Sequence, residues 1–385
     1  MKELVLILVI SVLNFSHTAL AEGAPLISES EGMQLKVDKI AAGFDVPWAI
    51  EVLPSNKLLV TEREGSVKLI DLDKSITVTL RNTPKVLAEG QGGMLDIALA
   101  PDYKVNGWIY FTYVKAVNGE GATVLARAKL DNHKFHDWQE LLVTKSTTAE
   151  DYHFGSRITF DESGHVYFGV GDRGYRPNSQ NLTNHAGAII RLNLNGSVPA
   201  DNPFSKKYDS NKPALPEIWS YGHRNPQGMA YDVENKRLWS IEHGPRGGDE
   251  INLILSANNY GWPMVSHGKE YWGPVSVGEG THRKGITPPV KVYIPSIAPS
   301  SLILYTGDAF PLWKGNLLAG ALKLRHINRI VLNEDGSFLK EERLLEDLGE
   351  RIRALAQSPQ GWLYFSTDSG GIYRISPYAK LPDNN

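Results

Sequence analysis

The feature that most limits what this chain can fold into is a phrase of three short apolar runs that returns six times in the same order. A first run is followed by a tight turn, a second run rich in β-branched or aromatic residues, a gap, and a third run. The second runs fall at 58–61, 109–112, 166–169, 238–241, 317–320 and 363–366. Each follows a turn pair: Ser55-Asn56, Asn106-Gly107, Ser163-Gly164, Asn235-Lys236, Lys314-Gly315 and Gln360-Gly361. These residue types close antiparallel hairpins. The first runs lie at 48–53, 94–99, 157–160, 228–231, 302–305 and 352–356, and the third at 67–70, 125–130, 189–194, 251–255, 327–332 and 372–375. Turns and strands recur in any β protein, but sixfold agreement in the order of three elements predicts a repeat fold. The expectation is an all-β, six-bladed β-propeller with four-stranded antiparallel blades, forming a single domain over 33–376.

Outer, fourth strands are expected at 76–80, 141–144, 290–293 and 338–345. The sixth copy has only ten residues after Ile375, and 377–385 reads as a disordered tail. Its outer strand must come from elsewhere, and the alternating stretch 35–40 is the free candidate. Pairing it there closes the ring and leaves no open edge between first and last blades. Two inserts, 197–216 and 258–289, are rich in Pro, Asn, Gly and aromatics and are expected to be ordered loops on a rigid scaffold.

With 36 Gly, 22 Pro and 16 Tyr, composition favours many turns and aromatic strands over long helices. The formal charge of −3 and the absence of a basic block argue against nucleic acid, whose binding rests on neutralising phosphates. Small ligands fit better. The N-terminus combines Met1-Lys2, an apolar run over 4–13 and an Ala19-Leu20-Ala21 cleavage signal, so 1–21 reads as a signal peptide. A periplasmic or secreted protein with no membrane span in its mature form is expected. Cysteine is absent, so stability must come from the core or from a metal rather than from disulfides.

In a blade, the turn between first and second strands lies on one face, so first-strand starts and second-strand ends meet on the other. Gln91, His153, Arg224, Asn225, Arg351 and Arg353 fall at starts, and Asp172, Glu242, His243, Asp308, Lys323 and Asp368 at or beyond ends. They are expected to converge. Lys323, Arg351 and Arg353 would repel one another unless an anion lay between them, which implies an anionic ligand. The run from Glu242 through Gly244, Pro245 and Asp249 to Glu250 offers carbonyls and carboxylates to a hard cation, a better reading than zinc for scattered histidines without Cys.

The motifs Phe154-Gly155-Ser156-Arg157, Gly171-Asp172-Arg173-Gly174, Gly222-His223-Arg224-Asn225-Pro226-Gln227-Gly228, Glu242-His243-Gly244-Pro245, Asp249-Glu250-Ile251-Asn252 and Asn259-Tyr260-Gly261-Trp262-Pro263 resemble the soluble PQQ-dependent glucose/sorbosone dehydrogenase family, closest to its periplasmic aldose sugar dehydrogenase branch. The resemblance spans about 44–375. It implies a six-bladed propeller that binds pyrroloquinoline quinone (PQQ) and Ca2+ on one face and oxidises aldose sugars to lactones, passing electrons to an unidentified acceptor. It also implies His153 as general base, Gln91, Arg224, Asn225, Lys323, Arg351 and Arg353 as quinone contacts, and Gly244 and Pro245 as carbonyl ligands of the cofactor's calcium. Glu250 and Tyr260 match a structural calcium site. The chemistry is coherent: cationic side chains meet the cofactor's carboxylates, the metal polarises the quinone carbonyl, and a histidine titrating near ~6.5 takes the anomeric proton.

One departure stands out. The glucose-specific branch places an Asp directly before the catalytic His, where this chain has Tyr152. Support for His153 is left to Asp151, Asp172 or a backbone carbonyl. Two other functions suit the same architecture, a calcium-dependent hydrolase or lactonase and a non-catalytic sugar-binding propeller, because fold does not fix function.

Overall fold

A computed structural model describes residues 25–205 and 213–378; the expected leader at 1–21 lies outside them. Six antiparallel sheets stand radially around an axis. Blade one contains Pro47–Leu53, Lys57–Glu62, Val67–Asp71 and Ile76–Thr79. Blade two contains Met94–Leu99, Trp108–Val117, Glu120–Asp131 and Lys134–Val143. Ile158–Phe160, His165–Val170, Ala188–Asn193 and Ile218–Tyr221 make blade three. Pro226–Asp232, Arg237–Glu242, Asp249–Ile254 and Lys291–Tyr293 make blade four. Blade five is Pro299–Leu304, Leu317–Ala321, Ile327–Leu332 and Phe338–Leu344. Blade six begins with Ile352–Gln357, Leu363–Thr367 and Ile372–Pro377. Each inner strand packs on the next, and the sixth packs on the first.

The ring closes where the sequence places the missing strand. Met33–Ala41 pairs antiparallel with Ile372–Pro377, with Val37 opposite Ile375. A further strand, Leu26–Ser30, pairs outside it and makes this sheet five-stranded rather than four-stranded. Its end is latched to blade five: Ser30 Oγ donates to Glu342 at 2.8 Å and accepts from Trp313 Nε1 at 2.9 Å, while Arg329 pairs with both Glu31 and Glu342. Ordered backbone also reaches past the expected start of the tail, because the Tyr378 N–H donates to the Gln34 carbonyl at 3.0 Å. Two outer strands differ from the sequence reading. That of blade two starts at Lys134, and that of blade three, Ile218–Tyr221, was not assigned.

Apolar clusters fill the gaps between blades, such as Leu59, Met94, Ile97, Phe111 and Phe135 between blades one and two. A middle strand is covered on both faces by neighbouring blades, so Leu58, Leu59 and Val60 are all fully buried and the run is continuously apolar rather than alternating.

The axis is held by one side chain. Arg157, entering blade three, donates from Nη1 to Asp96 of blade two at 2.8 Å and from Nη2 to the carbonyls of Trp48, Ser300 and Arg353 in blades one, five and six. Its Nε reaches the carbonyl of Gln227 in blade four at 3.2 Å, and its guanidinium lies 3.9 Å from the centre of the Trp48 ring. One buried cation thus joins all six blades.

Candidate active site

On one side of Arg157 a cavity of about 440 Å³ opens at the axis, lined among others by Arg63, Gln91, Asn225, His243, Arg351 and Arg353. His153 stands at its edge, beside the lining residues Phe154 and Gly155. The turn that presents it is conformationally demanding: His153, Gly155 and Ser156 all take positive φ, 59°, 65° and 99°. Such backbone in non-glycine residues costs about 1–3 kcal/mol each and persists where the surroundings impose it. Here the Ser156 N–H is fixed on the Gly169 carbonyl at 2.7 Å. Gly171 lies so close beneath that a Cβ there would come within 2.4 Å of the His153 carbonyl oxygen.

His153 is 9% exposed, and its Nδ1 meets Asp172 Oδ1 at 2.6 Å. Of the supports left open by the sequence, the ring therefore uses Asp172. That carboxylate is itself fixed by Trp262 Nε1–H at 2.7 Å and by the Gly174 N–H at 2.9 Å. Burial raises the Asp172 pKa, but His153, the Arg224 charge and the Gly174 N–H together outweigh it and hold the group below its ordinary value. With Asp172 ionised, Nδ1 is the donor and Nε2 keeps the lone pair. Burial, with Arg224 and Arg173 nearby, lowers the His153 pKa against the pull of Asp172. The imidazole is neutral at neutral pH.

The polar groups around the cavity are already committed on their acceptor sides. Gln91 Oε1 accepts from the His153 N–H at 2.9 Å, and Asn225 Oδ1 accepts from the Gly155 N–H at 3.2 Å and from Gln227 at 3.1 Å. What both amides can offer a ligand is their NH2 donors. Arg63 and Arg224 each carry a buried Nε with no partner among the described residues. Arg63 lies just past the end of a second strand, where the positional rule applied to the other blades would have found it. The cavity thus offers the NH2 donors of Gln91 and Asn225 and the guanidinium groups of Arg63, Arg351 and Arg353, beside Asp368 and apolar walls such as Trp48, Leu95 and Leu322, a lining that suits a flat ligand carrying acceptors.

Two expectations need correction. The anion between Arg351 and Arg353 is the protein's own Asp368, which accepts from Arg351 Nε at 2.7 Å and from Arg353 Nε and Nη2 at 2.7 and 3.0 Å. Those arginines alone therefore require no external anion; one positive charge remains between them. Lys323 is exposed beside the lining residue Leu322, with its backbone N–H on the Ile297 carbonyl. Asp308 does not join this face, because it precedes the second strand of blade five and pairs with Lys314 at 2.8 Å in the opposite turn.

The run after blade four's second strand is more committed than its composition suggested. Glu242 accepts from His223, Asn252 and the Arg224 N–H, and Asp249 from the Gly244 N–H, Ser296 and the Ala298 N–H. The Gly244 carbonyl accepts from Arg224 Nη1 at 2.9 Å and the Pro245 carbonyl from Tyr271 Oη at 3.2 Å, leaving each a second lone pair. Glu250 is different. It borders two small cavities under the 258–289 insert, and among the described residues its carboxylate has only a 3.5 Å contact from Asn252 Nδ2, while Asn252 Oδ1 has no partner. Burial and the Glu242 charge push its carboxyl well above the ordinary range. Tyr260 can add only its backbone carbonyl, because its hydroxyl is held between the Leu253 carbonyl and the Leu255 N–H. Among the described residues no cluster of three or more His, Asp and Glu side chains could hold a metal, so a cation here would lean on backbone oxygens.

A family model described as Glucose / Sorbosone dehydrogenase matches residues 44–374. The aldose sugar dehydrogenase YliI of Escherichia coli is 37% identical over 351 residues, 89% of this chain and 93% of that protein. The crystal structure of the soluble aldose sugar dehydrogenase from Escherichia coli in its apo-form superposes with a TM-score of 0.85 at 36% identity, over 89% of this chain and all of that one. The PQQ-bound form of an aldose sugar dehydrogenase from Streptomyces coelicolor gives 0.73 at 25% identity, over 89% of this chain and 98% of that one.

Proposed function

The chain belongs to the Glucose / Sorbosone dehydrogenase family and is an oxidoreductase of the sugar dehydrogenase kind, and we propose that it oxidises aldoses at the anomeric carbon to lactones with PQQ and Ca2+, using His153 as the general base. The observation that carries this reading is the donor-bearing cavity beside a neutral, carboxylate-oriented imidazole. A flat quinone bearing three carboxylates presents acceptors all round. It fits a lining of Arg63, Gln91, Asn225, Arg351 and Arg353. Lys323 is free to add charge from outside.

The quinone would supply a two-electron acceptor for hydride. The protein's part is positional and acid–base. Asp172 keeps the Nδ1 proton of His153 in place, so Nε2 can accept the proton of the anomeric hydroxyl as hydride leaves the carbon bearing it. The imidazolium so formed is stabilised by the same carboxylate. Trp262 and Gly174 stop Asp172 from turning away.

Calcium is proposed at two places. Glu250, with the orphaned Asn252 Oδ1 and the Tyr260 carbonyl, suits an oxygen-seeking cation that would offset the repulsion from Glu242. The carbonyls of Gly244 and Pro245 retain a lone pair each for a second ion beside the cofactor. An exported location is proposed from the leader-like 1–21; no helix of the described residues is long and apolar enough to cross a membrane.

The test is titration of the purified protein with PQQ and calcium, followed by absorption and by dye reduction with aldoses. Saturable binding with aldose-dependent dye reduction is expected. Lactone hydrolysis with calcium alone would replace this reading with a hydrolase, and sugar binding without either reaction would leave a binding propeller.

A further inference from the structure

Resting on the sugar dehydrogenase reading, we propose that Tyr271 and Trp272 form a stacking platform for the sugar ring next to the one being oxidised, so that the enzyme favours oligosaccharides with a free reducing end over single aldoses. Trp272 is 76% exposed, Tyr271 65% and Tyr175 60%. Exposed aliphatic residues such as Val105, Val233 and Leu339 occur singly, which is ordinary for a protein surface. The exposed aromatics do not follow that pattern. Of the four among the described residues, three lie on two loops that meet beside the candidate site, and only Tyr378 lies elsewhere.

Those loops are braced. Lys269 bridges to Arg246 and to Ser276, and the Glu270 N–H donates to the Val275 carbonyl at 2.8 Å, making a short hairpin with Tyr271 and Trp272 at its tip. The hairpin is tied to the site twice. Tyr271 Oη donates to the Pro245 carbonyl at 3.2 Å, and Glu270 receives both terminal nitrogens of Arg176 at 2.7 and 2.8 Å. Arg176 in turn lies 5.4 Å from the ring of Trp262, whose Nε1–H holds Asp172 against His153. An exposed tryptophan on a rigid tip contributes little to folding. Its backbone is already placed for a ligand, so no loop has to be ordered on binding.

The chemistry of the patch selects a carbohydrate. Aromatic faces stack on the C–H faces of a pyranose ring, and a planar Arg–Glu pair and a tyrosine hydroxyl beside them match its equatorial hydroxyls. On this proposal a single aldose with its anomeric carbon at His153 fills the inner position, and the glycosyl unit attached to it lies against this rim.

The probes are glucose, maltose and cellobiose, used in calorimetric titration of the protein and in steady-state oxidation by the enzyme loaded with PQQ and calcium. Trp272→Ala is expected to raise the Kd and KM for a disaccharide about 3- to 10-fold relative to those for glucose, with kcat held and Trp272→Phe restoring most of the loss. An equal shift for all three sugars, or no shift for any, overturns the proposal. So does a shift confined to the dye's KM, which would assign the surface to the electron acceptor. If the loaded enzyme oxidises no aldose, the functional reading fails, and the calorimetric comparison still decides the platform.

Discussion

Arginine is used in opposite ways at two levels of the same axis. At the level of Arg157, every nitrogen of a buried guanidinium is spent on Asp96 and on carbonyls of the surrounding blades. At the cavity above it, Arg351 and Arg353 share one carboxylate, Arg63 lines the wall, and the amides of Gln91 and Asn225 have their oxygens bonded and their NH2 groups left to offer. The same residue type ties blades together where its nitrogens are all bonded and offers charge to a ligand where it borders a cavity; an orphaned Nε alone does not mark a site, because among the described residues Arg173, Arg191 and Arg374 carry one too.

The comparison breaks first at the axis. Arg157→Met leaves Asp96 buried without its partner and several inner carbonyls unpaired, and is expected to cost roughly 3–5 kcal/mol, read as a lower urea midpoint. A wild-type midpoint would show that the axis does not depend on this residue. At the cavity, His153→Ala is expected to leave the midpoint nearly unchanged and lower turnover roughly 10²–10⁴-fold. The pH profile sharpens the contrast. A general base must be unprotonated, and burial holds the His153 pKa below its usual value, so kcat/KM should stay level as pH falls through ordinary histidine titration and drop only on the more acid side. Asp172→Asn removes the partner that raises this pKa, so the acid limb should move to lower pH while the plateau falls.

Smaller effects are expected outside these two regions. Chelation of calcium should lower the melting temperature of the wild type, and Glu250→Gln should abolish that calcium-dependent difference, read by thermal scans with and without chelator. Equal calcium dependence in both proteins would remove Glu250 as a ligand. A purely pH-dependent effect is expected at the partly buried Glu51, between the inner strands of blades one and two, where the Leu99 N–H approaches it at 3.4 Å. Burial, and to a lesser degree Asp96, raise its pKa to about 8 from 4.5. The native state therefore holds this proton more tightly than the unfolded chain, and its contribution to stability is complete below the unfolded value and lost as pH rises through about 8. Glu51→Gln should gain stability over wild type progressively between pH 5 and 9, measured by urea midpoints.

Much of this molecule was legible in its sequence, unevenly. Middle strands such as Leu58, Leu59 and Val60 are buried on both faces and appear as uninterrupted apolar runs, so six of them could be counted. Outer strands face solvent, carry mixed residues, and were misplaced in blade two and missed in blade three. The strand 35–40 was found because closure of the ring requires it, whereas nothing in the local pattern called for Leu26–Ser30 beyond it.

What the sequence determined by itself was the repeat, the ring's closure and the face on which first-strand starts and second-strand ends meet, since these follow from periodicity and strand direction. Only the tertiary structure decided which groups neutralise one another. Asp172 rather than Asp151 orients His153, Asp368 lies between two arginines that appeared to need an outside anion, and Arg157 joins six blades whose sequences carry no mark of it. Periodicity fixes where a side chain begins. Pairing depends on where two side chains at neighbouring strand ends of one blade come to rest, at 2.6 Å for His153–Asp172 and 2.7 Å for Arg351–Asp368, and that is set by the packing around them rather than by strand order.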